Sequence, residues 1–339
     1  MHRCLQLARL GAGHVAPNPM VGAVLVHHDK IIGEGYHKHF GHEHAEVNCI
    51  NSVKEEDKPF IHRSTLYVSL EPCAHHGKTP PCADLIIEKK IPRVVIGCRD
   101  PYVKVNGRGI EKLKSAGLTV DLNILEKESI DLNKRFFNFH LQHRPYIILK
   151  WAQSNNARIA NADLSRVFIS NEFTDRLVHQ WRSEEAAILI GTNTALHDDP
   201  ELTVRLWKGK NPVRLVIDMD LSLPPALKIF NGKAHTIIFN TIRHGKENNL
   251  TYYQLTGDLS IVRQVVNALY HLQLQSVIVE GGAKLLQSFI DEGMWDEARI
   301  ITNEELMIDH GLSSPTLIHY NKFSSEKLNT DSIQYYHHA

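Results

Sequence analysis

The sequence predicts an α/β protein of two domains, and three observations lead there. Short apolar runs rich in Val, Ile and Leu alternate with stretches of helical spacing along most of the chain, the pattern of a sheet covered by helices. A length of 339 residues suits two hydrophobic cores, on a scale of roughly 150 residues per domain. A polar joint at Leu141–Arg144 precedes Pro145 and a new β-rich run. The boundary is therefore expected near 143, giving domains 1–143 and 144–339.

Cys4–Leu10 has helical spacing and meets Gly11 and Gly13 as a stop signal. Pro17-Asn18-Pro19 makes a loop into the strand Gly22–His27; a turn at His28-Asp29-Lys30 then returns the chain as the strand Ile31–Tyr36, a hairpin. Leu66–Leu70 is a further apolar run. Ala83–Lys90 reads as a helix closed by Pro92, and Arg93–Cys98 as the strand after it. Gly107-Arg108-Gly109 opens the helix Ile110–Ala116, Gly117 stops it, and Leu118–Leu122 is a strand. From Glu126 to His140 the spacing is helical. In the second half Tyr146–Trp151, Ala186–Ile190, Val213–Ile217, Thr236–Phe239 and Ser276–Val279 are the expected buried strands of a mainly parallel sheet. Helices such as Glu172–Arg182 and Ile261–Tyr270 lie between them, and the helix Leu285–Ile290 follows the last.

Composition excludes several function classes. A formal net charge of +0 argues against a general polyanion binder such as a nucleic-acid protein. No stretch approaches the ~18 consecutive apolar residues of a membrane span, and Met1–Gly13 lacks the apolar core and cleavage site of a signal peptide. The 5 cysteines are an odd number, and two stand in a metal-binding pattern, which suits a reducing compartment. A cytoplasmic protein is expected. The 22 histidines are dispersed, so most should be solvated or hydrogen-bonded surface groups.

The chemistry concentrates in Glu71–Cys82, read E-P-C-A-H-H-G-K-T-P-P-C, and in the upstream His44-Ala45-Glu46. Zinc prefers thiolate sulfur and imidazole nitrogen, and three protein ligands leave a fourth tetrahedral position for water. His44, Cys73 and Cys82 are the expected ligands. Glu46 is the expected catalytic carboxylate, shuttling the proton of an acidified water. Residues two apart on a regular helix face roughly 200° away from each other, so His44 and Glu46 belong at a helix start. Cys73 and Cys82 should lie near helix starts too, where unpaired N–H groups favour thiolates. A structural zinc would instead require a fourth protein ligand, such as His75.

His-x-Glu followed by Pro-Cys and a second Cys resembles the zinc nucleoside and nucleobase deaminases. The longer run Pro72-Cys73 to Pro81-Cys82, with Pro17-Asn18-Pro19 and Val21-Gly22 upstream, is similar to the bifunctional pyrimidine deaminase/reductases of riboflavin biosynthesis. That resemblance implies a three-layer cytidine-deaminase-like domain followed by a dihydrofolate-reductase-like α/β domain that uses NADPH. It implies substrate contacts in the first domain from Asn18, His37, His75 and Lys78. In the second it puts Lys150, Arg182, Leu202, Arg205 and Glu280 against a phosphosugar, and Ala152, Phe168, Thr194, Asp198 and Gly282 against the cofactor. The residues themselves suit this. Glu280-Gly281-Gly282 at a strand-to-helix turn lets backbone N–H groups approach a phosphate, and the planar fork of arginine matches two phosphate oxygens.

The implied activity is zinc-dependent deamination of a phosphoribosyl-diaminopyrimidinone, then NADPH-dependent reduction of its ribosyl group, in a homo-oligomer with no nucleic-acid or membrane partner. The chain departs from the resembled pattern at Tyr102, where Asn usually follows Asp-Pro, at Ser154-Asn155-Asn156-Ala157, and at Arg166, Phe168 and Met219. Those departures motivate an alternative, a deaminase whose second half is a silent binding or oligomerisation module. A nucleic-acid editing deaminase is a further alternative, opposed by the neutral charge.

Overall fold

The strands form where β-branched and apolar residues run together, as in Arg93–Cys98 and Ser276–Val279, which are buried along almost their whole length. In the computed structural model, which describes residues 1–339 apart from 77–79, 164 and 166, they are shared between two units, Met1–His143 and Arg144–Ala339. No helix among the described residues is long and apolar enough to cross a membrane.

The first unit contains α1 (His2–Arg9), β1 (Gly22–His27), β2 (Lys30–Tyr36), α2 (Ala45–Asn51), β3 (Thr65–Leu70), α3 (Cys82–Glu88), β4 (Arg93–Cys98), α4 (Arg108–Ser115), β5 (Thr119–Asp121), α5 (Glu126–Leu132) and α6 (Lys134–Gln142). Its sheet runs β2-β1-β3-β4-β5. The β1–β2 and β1–β3 pairs are antiparallel, and β3, β4 and β5 are parallel. One face packs on α2, α3 and α4 through residues such as Ala45, Ile50, Ile86 and Leu113. The other is covered by α1 through Cys4 and Leu7, and by α6 through Phe136 and Phe137. Three layers result.

The stretch 126–140 is two helices rather than one. Buried Asn133 interrupts it because its side-chain oxygen accepts from the Met20 amide at 2.8 Å and its side-chain nitrogen donates to the Met20 carbonyl at 2.9 Å. Two tertiary hydrogen bonds to one peptide outweigh continued helical pairing, and they fasten the Pro17-Asn18-Pro19 loop to the core.

The second unit contains β6 (Tyr146–Ser154), β7 (Arg158–Asn161), α7 (Glu172–Glu184), β8 (Ala187–Gly191), α8 (Thr192–Asp198), β9 (Val213–Ile217), β10 (Thr236–Asn240), β11 (Gly245–Glu247), β12 (Leu250–Gln254), α9 (Ile261–His271), β13 (Ser276–Val279), α10 (Ala283–Asp291), β14 (Glu297–Asn303), β15 (Gly311–Ser313), β16 (Tyr320–Leu328) and β17 (Asp331–His338). Its large sheet runs β11-β12-β10-β9-β8-β13-β6-β14-β17-β16. From β12 to β14 the strands are parallel, and β11, β17 and β16 add antiparallel edges. The parallel centre follows the expected pattern. The polar hairpin β16–β17 does not, since β16 is exposed almost throughout and carries no apolar signature. Cores lie on both faces, one with α9 and α10 and the other with Val178 and Trp181 of α7.

Arg214 on β9 is fully buried. Its guanidinium donates to the Thr236 hydroxyl at 3.0 Å, the Lys228 carbonyl at 3.1 Å, Asn231 Oδ1 at 3.0 Å and the Ala234 carbonyl at 2.7 Å. It thus stands in for water beneath the loop before β10. Truncation would orphan several buried acceptors at once, and lysine cannot replace a planar fork. We expect Arg214→Ala to destabilise the second unit by about 3 kcal/mol, with Arg214→Lys recovering little. Urea unfolding followed by tryptophan fluorescence measures this directly, because all 4 tryptophans belong to that unit.

Candidate active sites

In the first unit, three chain segments meet at one end of the sheet. β3 ends at Leu70 and hands on Glu71-Pro72-Cys73, His44 is the N-cap of α2, and Cys82 is the first residue of α3. Gly35 on β2 lets α2 lie close, since a Cβ there would stand 2.2 Å from the Cys49 nitrogen. His44 and Glu46 therefore occupy a helix start, as their spacing required. Cys73 differs from expectation: it lies in the loop after β3, not at a helix start. Its sulfur nonetheless accepts from the Cys82 amide at 3.4 Å, so the start of α3 reaches the Cys73 sulfur as well as carrying Cys82.

The His44 Nδ1 atom is 3.6 Å from the Cys73 sulfur and 3.4 Å from the Cys82 sulfur. The three donor atoms lie within 4.8 Å of one another. A tetrahedral zinc with Zn–S near 2.3 Å and Zn–N near 2.0 Å separates nitrogen from sulfur by roughly 3.6 Å. The donor set fits one zinc ion, and among the described residues the cluster contains no fourth protein donor; His75 is not part of it. The Cys82 thiol, by hydrogen bonding, pulls the Cys73 thiol down to about 4 against the effect of burial, and His44 assists. Glu46 is 3% exposed, and burial pushes its carboxyl up.

His37 is buried and its Nδ1 faces the Glu43 carbonyl at 3.0 Å. A carbonyl can only accept, so Nδ1 carries the proton and Nε2 accepts from the Asn18 side-chain amide at 3.2 Å. Burial lowers the His37 pKa, in keeping with a neutral ring. Its ring lies 5.3 Å from that of His44, which brings Asn18 and His37 beside the donor cluster. His75 has a buried Nδ1 with no hydrogen-bond partner among the described residues, a polar atom that a ligand would satisfy. Lys78 lies outside the described residues, as does Arg166. Tyr102 donates its amide to Asp100 Oδ1 at 2.7 Å, and its ring lies 6.3 Å from His75 and 5.0 Å from His140. Burial pushes the Asp100 carboxyl up to about 7. Sequence reasoning did not single out Asp100 for a role of its own.

In the second unit the expected residues gather at the carboxyl ends of parallel strands, where ligands bind open α/β sheets. Lys150 and Ala152 lie on β6, Glu280 and Gly282 follow β13, and Thr194 and Asp198 belong to α8 after β8. Glu280 is the electrostatic centre. Arg182 on α7 grips it with two bonds, Nε to Oε1 at 2.9 Å and Nη2 to Oε2 at 2.7 Å, and Lys150 Nζ is 3.5 Å from Oε2. Burial opposes the negative charge, but Arg182 and then Lys150 outweigh it and hold the carboxyl at about 2.

Gly282 is the N-cap of α10 without a side-chain cap. A Cβ built there would make only ordinary contact, 3.5 Å from the Thr194 hydroxyl, and the uncapped backbone at this turn forms a cradle beside α8. Such a cradle fits the phosphates of a dinucleotide. Phe168 is 75% exposed. Leu202 has its side chain in the core and a left-handed backbone, φ 55, so what it presents to a ligand is main chain. Arg205 is half-exposed and donates to the Thr203 hydroxyl at 3.1 Å, while its amide donates to His179 Nδ1 at 3.1 Å. His179 went unremarked in the sequence because nothing local marks it. Burial, with Arg182 and Arg205 nearby, pulls it down to about 4, so it serves Arg205 as a neutral acceptor.

Comparison with known proteins agrees with both halves. The family model of the cytidine and deoxycytidylate deaminase zinc-binding region matches residues 1–98, and that of the RibD C-terminal domain matches 145–307. The chain is 38% identical over 320 residues to the riboflavin biosynthesis protein RibD of Aquifex aeolicus, covering 92% of this chain and 88% of that one. It is 37% identical over 336 residues to RibD of Bacillus amyloliquefaciens, covering 96% and 89%. The fold superposes with a TM-score of 0.91, at 33% identity and covering 100% of this chain and 97% of the other, on a diaminohydroxyphosphoribosylaminopyrimidine deaminase/5-amino-6-(5-phosphoribosylamino)uracil reductase from Thermotoga maritima. With both domain families present in order and relatives this similar along nearly its whole length, the chain belongs to the RibD family of riboflavin biosynthesis proteins.

Proposed function

We propose that residues 1–143 deaminate 2,5-diamino-6-(5-phosphoribosylamino)pyrimidin-4-one and residues 144–339 then reduce its ribosyl group to ribityl, the two steps of a bifunctional riboflavin-biosynthesis enzyme that uses zinc and NADPH. The observation that carries the reading is the convergence of His44, Cys73 and Cys82 on one point with Glu46 buried in the adjoining helix turn. Zinc, when bound, supplies the Lewis acidity that makes water a nucleophile near neutral pH, and NADPH, when bound, supplies a hydride. His44, Cys73 and Cys82 hold the metal. Glu46 takes the proton that water gives up as its oxygen bonds to C2 of the ring, and returns it to the departing ammonia. Asn18, His37, His75 and Lys78 hold the pyrimidine and its phosphosugar.

In the second unit Arg182 and Arg205 hold the 5-phosphate. Lys150, the Leu202 backbone and Glu280 line the sugar, with Glu280 fixing Arg182 and Lys150 in place. Ala152, Phe168, Thr194, Asp198 and Gly282 would hold the nucleotide, so that the chain would orient both the cofactor and the opened ribose. Phe168 keeps an aromatic face for the nicotinamide despite the departures around it. A cytoplasmic homo-oligomer is the setting we propose.

Following ammonia and NADPH separately tests the division of labour. Glu46→Gln is expected to lower ammonia release by about 10³-fold and to leave NADPH oxidation with the deaminated intermediate at the wild-type rate. Removal of the metal with a chelator should give the same split. Absence of NADPH oxidation by the wild-type chain would leave the second unit as a silent module.

The Glu280 charge sets a pH dependence with a definite sign. Its pKa falls from the ordinary 4.5 to about 2 on folding, so its contribution is complete above pH 4.5 and is lost as the pH falls toward 2. Glu280→Gln leaves two cations facing each other without a counter-charge. The stability gap between wild type and this variant is expected to be widest above pH 4.5 and to narrow below it, read from urea unfolding at a series of pH values. A gap that is constant across that range would contradict the assignment.

A further inference from the structure

We propose that Glu71 is a positioning residue for deamination, its carboxylate locking the Cys73-bearing turn to the segment that carries Asp100 and Tyr102. This rests on the zinc reading of the first unit. Glu71 is 4% exposed. Oε2 accepts from the amides of Asp100 at 3.2 Å and Gly107 at 2.9 Å, and Oε1 from those of Gly109 at 2.9 Å and Ile110 at 3.3 Å. Four N–H donors satisfy both oxygens of a carboxylate that accepts only, and Gly109 and Ile110 lie in the first turn of α4, where a negative charge is favoured.

The same turn is held from the other side. Gly109 approaches so closely that a Cβ on it would stand 1.9 Å from the Pro72 carbonyl oxygen, which pins the peptide directly before Cys73. Beyond it, the Cys73 carbonyl accepts from the Ala83 amide at 3.1 Å and the sulfur from the Cys82 amide at 3.4 Å. Cys73 is thus gripped between the starts of α4 and α3, and one of those grips is Glu71. The clamp also sets the site wall. The Asp100 amide bonded to Glu71 belongs to the residue whose carboxylate holds the Tyr102 amide, beside His75. A glutamine at 71 keeps the shape but turns an NH2 group toward two of the four N–H donors, which must move away. The ligand sulfur and the wall would shift together.

The test uses the full chain with cobalt(II) exchanged for the native metal, in wild type, Glu71→Gln and Gly109→Ala, the last keeping the carboxylate but pressing a Cβ on the Pro72 carbonyl and, at 3.2 Å, on Glu71 Oε1. Both variants are expected to shift the thiolate-to-cobalt absorption bands and to weaken zinc about tenfold in competition with a chelator, the size typical for groups that orient metal ligands. Deaminase kcat/KM should fall by a similar factor, and the reductase rate with the deaminated intermediate should match wild type. Wild-type cobalt spectra and zinc affinity in both variants would overturn the clamp, even with a lowered unfolding temperature. A wild-type chain that shows no thiolate-to-cobalt bands and releases no ammonia would overturn the zinc reading itself, and the clamp with it.

Discussion

The first unit depends on bringing two sulfurs and an imidazole to one point from positions far apart in the chain. Free thiols buried apart from a partner stay protonated, as Cys4 and Cys49 do, where burial pushes the thiols up, to about 12 for Cys4. Cys73 differs because the Cys82 thiol hydrogen-bonds to it, His44 lies within reach and the start of α3 offers it an amide, while Cys82 is itself pushed up by its bond to Cys73 and by burial. The sheet order makes this possible. With β3 between β1 and β4, the end of β3 delivers Cys73 next to the helices that begin at His44 and Cys82. The remaining parts of the site are fastened to that frame by backbone contacts, as the Asn133 bonds fasten the loop of Asn18.

The second unit solves a different electrostatic problem. A site for a phosphosugar and a phosphorylated cofactor needs cations, and cations in a partly buried cleft repel one another. Glu280 answers this from within, pairing Arg182 and Lys150 at the end of β13. A buried ion pair is weak evidence for stability as such. Here its effect is to hold two cationic side chains in one arrangement at the strand ends.

Much of this could be read in the sequence, and the limits are physical. The α/β class and the parallel centre of the second sheet follow from periodicity, because residues on strands buried on both faces declare themselves, and the helix start at His44 follows from the need for His44 and Glu46 to face one metal. The helical spacing over 126–140 gives no sign of the break at Asn133, whose pairing with Met20 is tertiary and leaves no local trace. The exposed β16 was invisible for the same reason, being held by its partner β17 and by no apolar pattern. Glu71, Asp100 and His179 acquire their roles from backbone amides that fold onto them. Cys73 in a loop rather than a helix shows that a thiolate can borrow an amide from a neighbouring helix start.

X-ray absorption at the zinc edge of the metal-loaded full chain tests the central claim most directly. The account expects two sulfur scatterers at about 2.3 Å, a single imidazole nitrogen near 2.0 Å and one further light atom. Two imidazoles with two sulfurs, or three sulfurs, would contradict it.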